Sequence, residues 1–524
     1  MAFAPISSYP TQTLIVDKNS LSAAPYLQLE ERFRRIIAVD GASDLLYWDQ
    51  VTMMPEGGRA SRAEQLAALS VHAHELLTAP ETAEWLAAAE EASLDPWQAA
   101  NLHEMRRKHA HATALRPDLV EAMSRAATAC EAAWRQAKRE DDFDVVRPFL
   151  AEIVNLSRQA AMAKAEKLGV SPYEALMDMF EPGARTAAID AIFKDYMNFL
   201  PEFLPRVLEH QRAQPEIREP KGQFPIATQK ALARLVVEQL GFQFENGRLD
   251  ESPHPFCIGW AGDVRITTRY REDEAMQALM GVIHETGHAL YERQLPADWR
   301  FQPVGRARGM VLHESQSLIF EMQAARTAAF CSFLSRLLRE AFPTHGSVFV
   351  ADNLVRLYCR VKPDFIRIAA DEVTYPAHVV LRYHLEQALI GGNLDVPDLP
   401  AAWNDGMKAS LGLDVRSDRD GCLQDAHWYE GLFGYFPFYT LGAMAAAQLF
   451  AAVSAMHPQI LTEIEEGRFD TLRHWLGEHV HQFASSLSTD EVMERATGKK
   501  LHIGAFKRHL AVRYLESENP AKRH

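Results

Sequence analysis

Apolar positions recur at three- and four-residue spacing over most of this chain, the period of a helix with one buried face. From Leu27 to about Gln214 the strong helix formers Ala, Leu, Glu and Arg dominate. "ETAEWLAAAEEASL" and "DLVEAMSRAATACEAAWRQAKRE" are two such runs. Proline and glycine act mainly as punctuation, as in "MMPEGG" and "FEPGAR". The period changes between Gly241 and Tyr270. There the alternation in "FQFENGRLD" and the β-branched "VRITT" predict short strands around an Asn-Gly turn. Helical spacing resumes from Glu274 and continues almost to the end, leaving "ESENPAKRH" as a polar, frayed tail. No internal repeat and no linker rich in Gly, Ser or Pro divides the chain. The expectation is one mostly α domain over 1–524, with a small strand-bearing insert near 241–270.

Composition narrows the classes of function. The 524 residues can bury a large core, and 47% hydrophobic with 24% charged residues is ordinary for a globular protein. A formal net charge of −15 argues against a nucleic-acid partner, which needs a basic face. The five cysteines are odd in number, widely spaced and without a C-x-x-C, which fits a reducing, cytoplasmic setting better than a disulfide framework. The opening "MAFAPISSYPTQTLIVDK" lacks the basic and apolar regions of a secretory signal. "LGAMAAAQLFAAVSAM" comes closest to a membrane span but is short and holds Gln448, so it reads as a buried helix and no membrane partner is expected.

The candidate chemistry lies in "GVIHETGHALYERQLP", Gly281 to Pro296. On a helix, His284 and His288 lie on one face and can reach a single ion, with Glu285 to one side. Glu285 is close enough to act on a water there but is not itself a ligand. Pro296 stops the helix, and Gly287 between the histidines predicts close approach by another element. Two imidazoles do not complete a catalytic zinc site, which takes a third protein ligand and one open position. A second amphipathic helix, "GMVLHESQSLIFEMQ", offers Glu314, with Glu321 and His313 as rivals.

Seven segments resemble the thermostable carboxypeptidase (Taq-type) family of metallocarboxypeptidases: "LLYWDQVTMMPEGGRASRAEQLAALS", "HPF", "DVRIT", "HETGH", "HESQ", "IRIAADE" and "GCLQDAHW". They occur in this order over most of the chain, without departure. The resemblance implies a large, helical, cleft-bearing (saddle-like) fold with its small β insert near the metal helix. It implies a broad-specificity carboxypeptidase acting on peptides with a free C-terminus, using Zn2+ or sometimes Co2+, usually as a cytosolic homodimer. By position, His284, His288 and Glu314 would be the ligands and Glu285 the general base.

Peptide hydrolysis also needs donors for a developing oxyanion, and an exopeptidase needs a partner for the substrate carboxylate. "HWYEGLFGYFPFYTLG" offers His427, Tyr435 and Tyr439, each of which could equally be core. Tyr435 is preferred because related helical zinc peptidases place a catalytic Tyr in a similar Gly-Tyr setting. Arg265 and Arg367 are the carboxylate candidates. The alternative for each is a structural ion pair, and Arg367 could pair with Asp371 four residues on along a helix. His254 could shape the cleft or simply fix a turn before Pro255. Asp425 or Asp371 could orient a ligand imidazole. A structural role is the safer reading for the Trp48-Asp49 segment. The rival functions are an oligoendopeptidase sharing the metal site and a non-catalytic metal-binding protein. Glu285 argues against the latter, since a structural site has no use for a base there.

Overall fold

The computed structural model describes Ala24–Glu516 apart from Ala261; the N-terminal stretch and the tail after Glu516 lie outside the described residues. Helices occupy the first part as expected: α1 (Ala24–Thr52), α2 (Arg59–Thr78), α3 (Pro80–Ala88), α4 (Pro96–Thr113), α5 (Pro117–Glu140), α6 (Arg147–Leu168), α7 (Pro172–Met177) and α8 (Thr186–Arg212). Their starts obey local rules. Asp95 before α4 and Ser171 before α7 form capping boxes with Gln98 and Glu174, satisfying amides that the first turn leaves unpaired. Pro201 and Pro205 depart from the punctuation role: both lie inside α8, which Leu200, Phe203 and Val207 hold in the core.

After α9 (Ile226–Leu240) come β1 (Gly247–Glu251), β2 (Cys257–Trp260) and β3 (Asp263–Thr268). The strands fall in the expected stretch, but the Asn-Gly hairpin does not form. Phe244–Asn246 is a 3-10 turn leading into β1, and the sheet order is β1-β3-β2 with β1 parallel to β3. β2 pairs antiparallel with β3, so the tight connection joins those two strands. Parallel pairing needs a longer connection than the Asn-Gly turn could give.

The second half comprises α10 (Met276–Gln294), α11 (Met310–Leu318), α12 (Ala328–Ala341), α13 (Ala351–Tyr358), α14 (Tyr375–Gly391) and α15 (Leu399–Leu411), then α16 (Pro437–Met456), α17 (Ile460–Glu465), α18 (Asp470–His479), α19 (Thr489–Thr497) and α20 (Ile503–Leu515). α16 is long and apolar enough to cross a membrane by composition, yet it is a core helix with Leu441, Met444, Ala445 and Leu449 buried. One large apolar core spans α5 to α20. A small cluster joins the sheet to α9 and α10 through Val237, Val264, Ile266, Ala278 and Val282, and another holds the N-terminal helices through Tyr26, Phe33, Leu102 and Met105.

Helix α10 is thereby shared among three environments. Ala278, Val282 and Ala289 face the sheet, while Leu279, Ile283 and Leu290 face the main core. His284 and His288 occupy the remaining face, and the roughly 100° per residue of a helix puts Glu285 between them and the sheet. α11 is buried on all sides rather than amphipathic, with Leu312, Glu314, Ser315, Gln316 and Ser317 all enclosed. It fits because two glycines admit it. A Cβ on Gly287 of α10 would stand 2.3 Å from the Gln316 carbonyl oxygen, and one on Gly442 of α16 would stand 2.7 Å from Glu314 Cβ.

Gly287→Ala should therefore push α11 off α10 at a cost of about 1–3 kcal/mol. Thermal unfolding should show the loss, together with a lower retained metal content.

Candidate metal and peptide site

The first turn of α11 is pinned from outside the helix. The Val311 amide donates to Glu181 Oε2 at 2.9 Å, and the Met310 amide to the Phe180 carbonyl at 2.9 Å. Glu314 is thus fixed opposite α10. One donor atom from each of His284, His288 and Glu314 lies within 4.8 Å of the others, and His288 Nε2 stands 3.8 Å from Glu314 Oε2. That is near the separation of two ligands on one ion with bonds of ~2.1 Å. Two imidazoles and a carboxylate, three donors with a further position left open, suit zinc or a similar divalent ion, so these residues fit a metal.

After Leu318 the helix widens into a π-turn, Ile319–Ala324. The turn carries Glu321, whose Oε2 lies 3.0 Å from His284 Nδ1 and leaves the other ring nitrogen for an ion. Arg326 Nη2 donates to Glu321 Oε1 at 2.6 Å. Burial alone would raise the Glu321 carboxyl, but Arg326 and His284 outweigh it and hold it down to about 2. Glu321 is therefore not among the grouped donors; it orients one of them. This corrects the expectation that Asp425 or Asp371 does so. Asp371 instead caps the turn before α14, accepting from the Val373 and Thr374 amides. His313 also stands apart from the grouped donors: it stacks on His288 at 4.4 Å and meets Glu292 at 3.1 Å.

Glu285 is buried beside these donors. Burial pushes its carboxyl up to about 7, with Glu314 adding to the rise and His284 and His313 opposing it.

Next to Glu314 lies an aromatic and cationic cluster. Arg367 is not on a helix with Asp371, because Arg367–Ala369 is a short 3-10 turn and helix-spaced pairing is lost. It binds Asp425 Oδ1 through Nε at 3.1 Å and Nη2 at 2.8 Å, and the Tyr375 hydroxyl through Nη1 at 2.8 Å. Asp425 Oδ2 accepts from Arg382 Nε at 2.6 Å. One buried carboxylate thus serves two buried guanidiniums, which leaves a net positive charge. Burial opposes the Asp425 charge, but Arg382 and Arg367 hold its carboxyl well below the usual range.

His427 Nε2 lies 3.3 Å from the Tyr439 hydroxyl. Burial pushes its imidazole down to about 4, with Arg367 and Arg382 assisting against Asp425, so the ring is neutral at pH 7. The Tyr435 hydroxyl reaches Met310 Sδ at 3.9 Å, a weak acceptor that leaves the O–H free to turn elsewhere. Burial raises both phenols, which remain protonated donors.

The other sequence candidates lie in structural settings. Arg265 is held by both oxygens of Asp263, at 2.9 and 2.7 Å, and lies 4.1 Å from the centre of the Trp48 ring. Trp48 also meets Arg248 of β1 at 4.9 Å, so it packs against the sheet, while Asp49 accepts from Arg62 of α2 at 2.7 Å. His254 is exposed, and its carbonyl accepts from Ser252 Oγ at 2.5 Å, which fixes the turn. Tyr375, Arg382 and Gly442 were missed from sequence. The partners they meet lie 8 residues away for Tyr375 (Arg367), 43 for Arg382 (Asp425) and 128 for Gly442 (Glu314).

A helical body over a small sheet, with imidazoles and a carboxylate brought together at its centre, has the build of a helical metallopeptidase. Residues 28–514 match the family described as carboxypeptidase Taq (M32) metallopeptidase, and the chain belongs to that family. It is a metallocarboxypeptidase, a peptide hydrolase whose family implies a metal. Thermostable carboxypeptidase 1 of Thermus thermophilus is 34% identical over 507 residues, which cover 94% of this chain and 98% of the relative. The solved structure of Trypanosoma cruzi metallocarboxypeptidase 1 superposes with a TM-score of 0.91 at 41% identity, covering 94% of this chain and 99% of that one. The Pyrococcus furiosus carboxypeptidase structure gives 0.90 at 32% identity, covering 94% and 99%.

Asp425→Asn should leave two buried guanidiniums without their counter-charge and cost about 3–5 kcal/mol. Because the folded-state value is depressed, the Asp425 charge contributes fully above the unfolded carboxyl's ~3.9 and is lost as pH falls toward the folded value. The stability gap between wild type and variant, followed by denaturant unfolding, should therefore narrow below about pH 4.

Proposed function

We propose that the enzyme releases C-terminal residues one at a time, with broad specificity, from peptides with a free carboxylate. His284, His288 and Glu314 hold the ion, zinc by preference with cobalt as a substitute, and Glu285 is the base. The observation that carries this reading is the convergence of those three donors within 4.8 Å of one another, beside a buried Glu285.

A bound divalent ion supplies polarisation of the scissile carbonyl and acidification of a water. Glu285 takes the proton from that water and later passes it to the leaving amine. Tyr435 donates to the oxyanion that develops on the carbonyl, with neutral His427 and Tyr439 beside it as further donors. Of Arg367's five donors three are committed, leaving two N–H groups for the substrate carboxylate. The uncompensated positive charge of the Arg367–Arg382–Asp425 cluster favours an anion there. Arg265, consumed by Asp263 and covered by Trp48, fits that task less well and shapes the sheet beside the substrate with His254. A cytoplasmic setting accords with five free cysteines, and the absence of a nucleic-acid or membrane partner with the acidic net charge. The homodimer is carried by family resemblance alone.

Glu285→Gln should lower kcat by about 10²–10⁴-fold while metal content by mass spectrometry stays unchanged. Chelation should abolish wild-type activity, and added zinc or cobalt should restore it. Activity on C-terminally amidated peptides equal to that on free-carboxylate peptides would mean an endopeptidase instead. Arg367→Met should raise KM for free-carboxylate peptides about 10–100-fold, the size of a lost charge-assisted contact.

A further inference from the structure

Between α15 and α16 the chain runs from residue 412 to 436 with only one short 3-10 turn, His427–Glu430. This segment carries Asp425, His427 and Tyr435, so no regular element fixes their positions. Long connections of this kind are commonly functional and need anchors elsewhere. Its first half is tied to α5: Trp134 Nε1 donates to the Leu423 carbonyl and Lys138 Nζ to the Gln424 carbonyl, each at 2.8 Å.

The second half is tied to α14. Tyr375, His378, Arg382 and Glu386 follow one another at three- and four-residue steps, so they form one polar stripe along the helix. Tyr375 meets Arg367, and Arg382 meets Asp425. Glu386 is fully buried at the far end of the stripe. Its Oε1 accepts from Trp428 Nε1 at 2.8 Å, and its Oε2 accepts from the Gly434 amide at 3.0 Å and the Tyr173 hydroxyl at 2.6 Å. Burial pushes its carboxyl up to about 7 against these three donors. Replacing so costly a group by an apolar one would spare its desolvation, unless its grip on the loop matters.

We propose that Glu386 is a positioning residue for the peptidase reaction: by holding the Gly434 amide and the Trp428 indole, it sets the place of Tyr435. Glu386 does not touch substrate; it acts through the residue that follows Gly434. The proposal rests on Tyr435 serving as an oxyanion donor.

The test is a double-mutant cycle on the full-length, metal-loaded enzyme, measuring kcat and KM on an N-blocked dipeptide. Tyr435→Phe should lower kcat about 100-fold. Glu386→Gln puts an amide N–H against one of three donors and should lower kcat about tenfold or more, with KM and metal content nearly unchanged. The double variant should be no slower than Tyr435→Phe, because the misplaced group is already gone. Multiplied losses, or wild-type kcat in Glu386→Gln, would overturn the positioning role while Tyr435 keeps its own. Wild-type kcat in Tyr435→Phe would overturn the assignment of Tyr435 and this proposal with it. If Glu386→Gln does not fold, Glu386→Asp keeps the charge, withdraws it by one methylene from Gly434, and goes through the same cycle with the same outcomes.

Discussion

Everything at the centre of this protein depends on how closely α11 approaches its neighbours. Gly287 on one side and Gly442 on the other remove the side chains that would hold it away. The approach puts Glu314 against the His284–His288 face of α10, burying Glu314 and His288 and half-burying His284. It also makes the pairing expensive, since a carboxylate and two imidazoles leave water together. An ion shared among them would offset that cost, with His284 Nδ1 already paired to Glu321.

The same economy governs the surrounding charges, which come in chains rather than pairs. His284 meets Glu321, Glu321 meets Arg326, and the charge of Arg326 helps hold down the Glu372 carboxyl. Glu372 in turn is gripped by His509, Arg513 and Tyr514 of α20. The last helix thus buttresses an imidazole on α10. Around Arg367 the count is uneven, with two guanidiniums on one carboxylate. That surplus suits a site meant to receive a carboxylate, whereas a purely structural network would be expected to close on itself.

The donors proposed to face the peptide differ from those proposed to hold the metal in how they are held. His284, His288 and Glu314 stand on helices whose packing fixes them directly. His427 and Tyr435 stand on a segment almost without regular structure, so side chains of α5 and α14 must do that work. Rigid elements hold the grouped donors, and a braced loop carries the groups proposed to follow the changing charge on the substrate.

Local spacing was enough to read the helical body, the strands near β1 to β3, the helix of His284 and His288, and the need for close approach at Gly287. These follow from short-range rules: helix period, β-branched runs, and the missing side chain of glycine. For the third donor the sequence favoured Glu314 over its rivals Glu321 and His313; what it could not show is the π-turn after α11 that carries Glu321 onto His284 Nδ1. The partners of Arg367 were misjudged for a related reason. Helix spacing suggested Asp371, whereas the chain forms a 3-10 turn there and Asp425, 58 residues on, supplies the charge. Arg382 and Glu386 fall in a polar stripe whose partners no local rule names, and nothing local marks Gly442 as a point of close approach. Sequence alone determined which residues have the chemistry and which elements bear them. Tertiary structure decided which of those groups meet, because desolvation and charge pairing depend on neighbours brought together from distant parts of the chain.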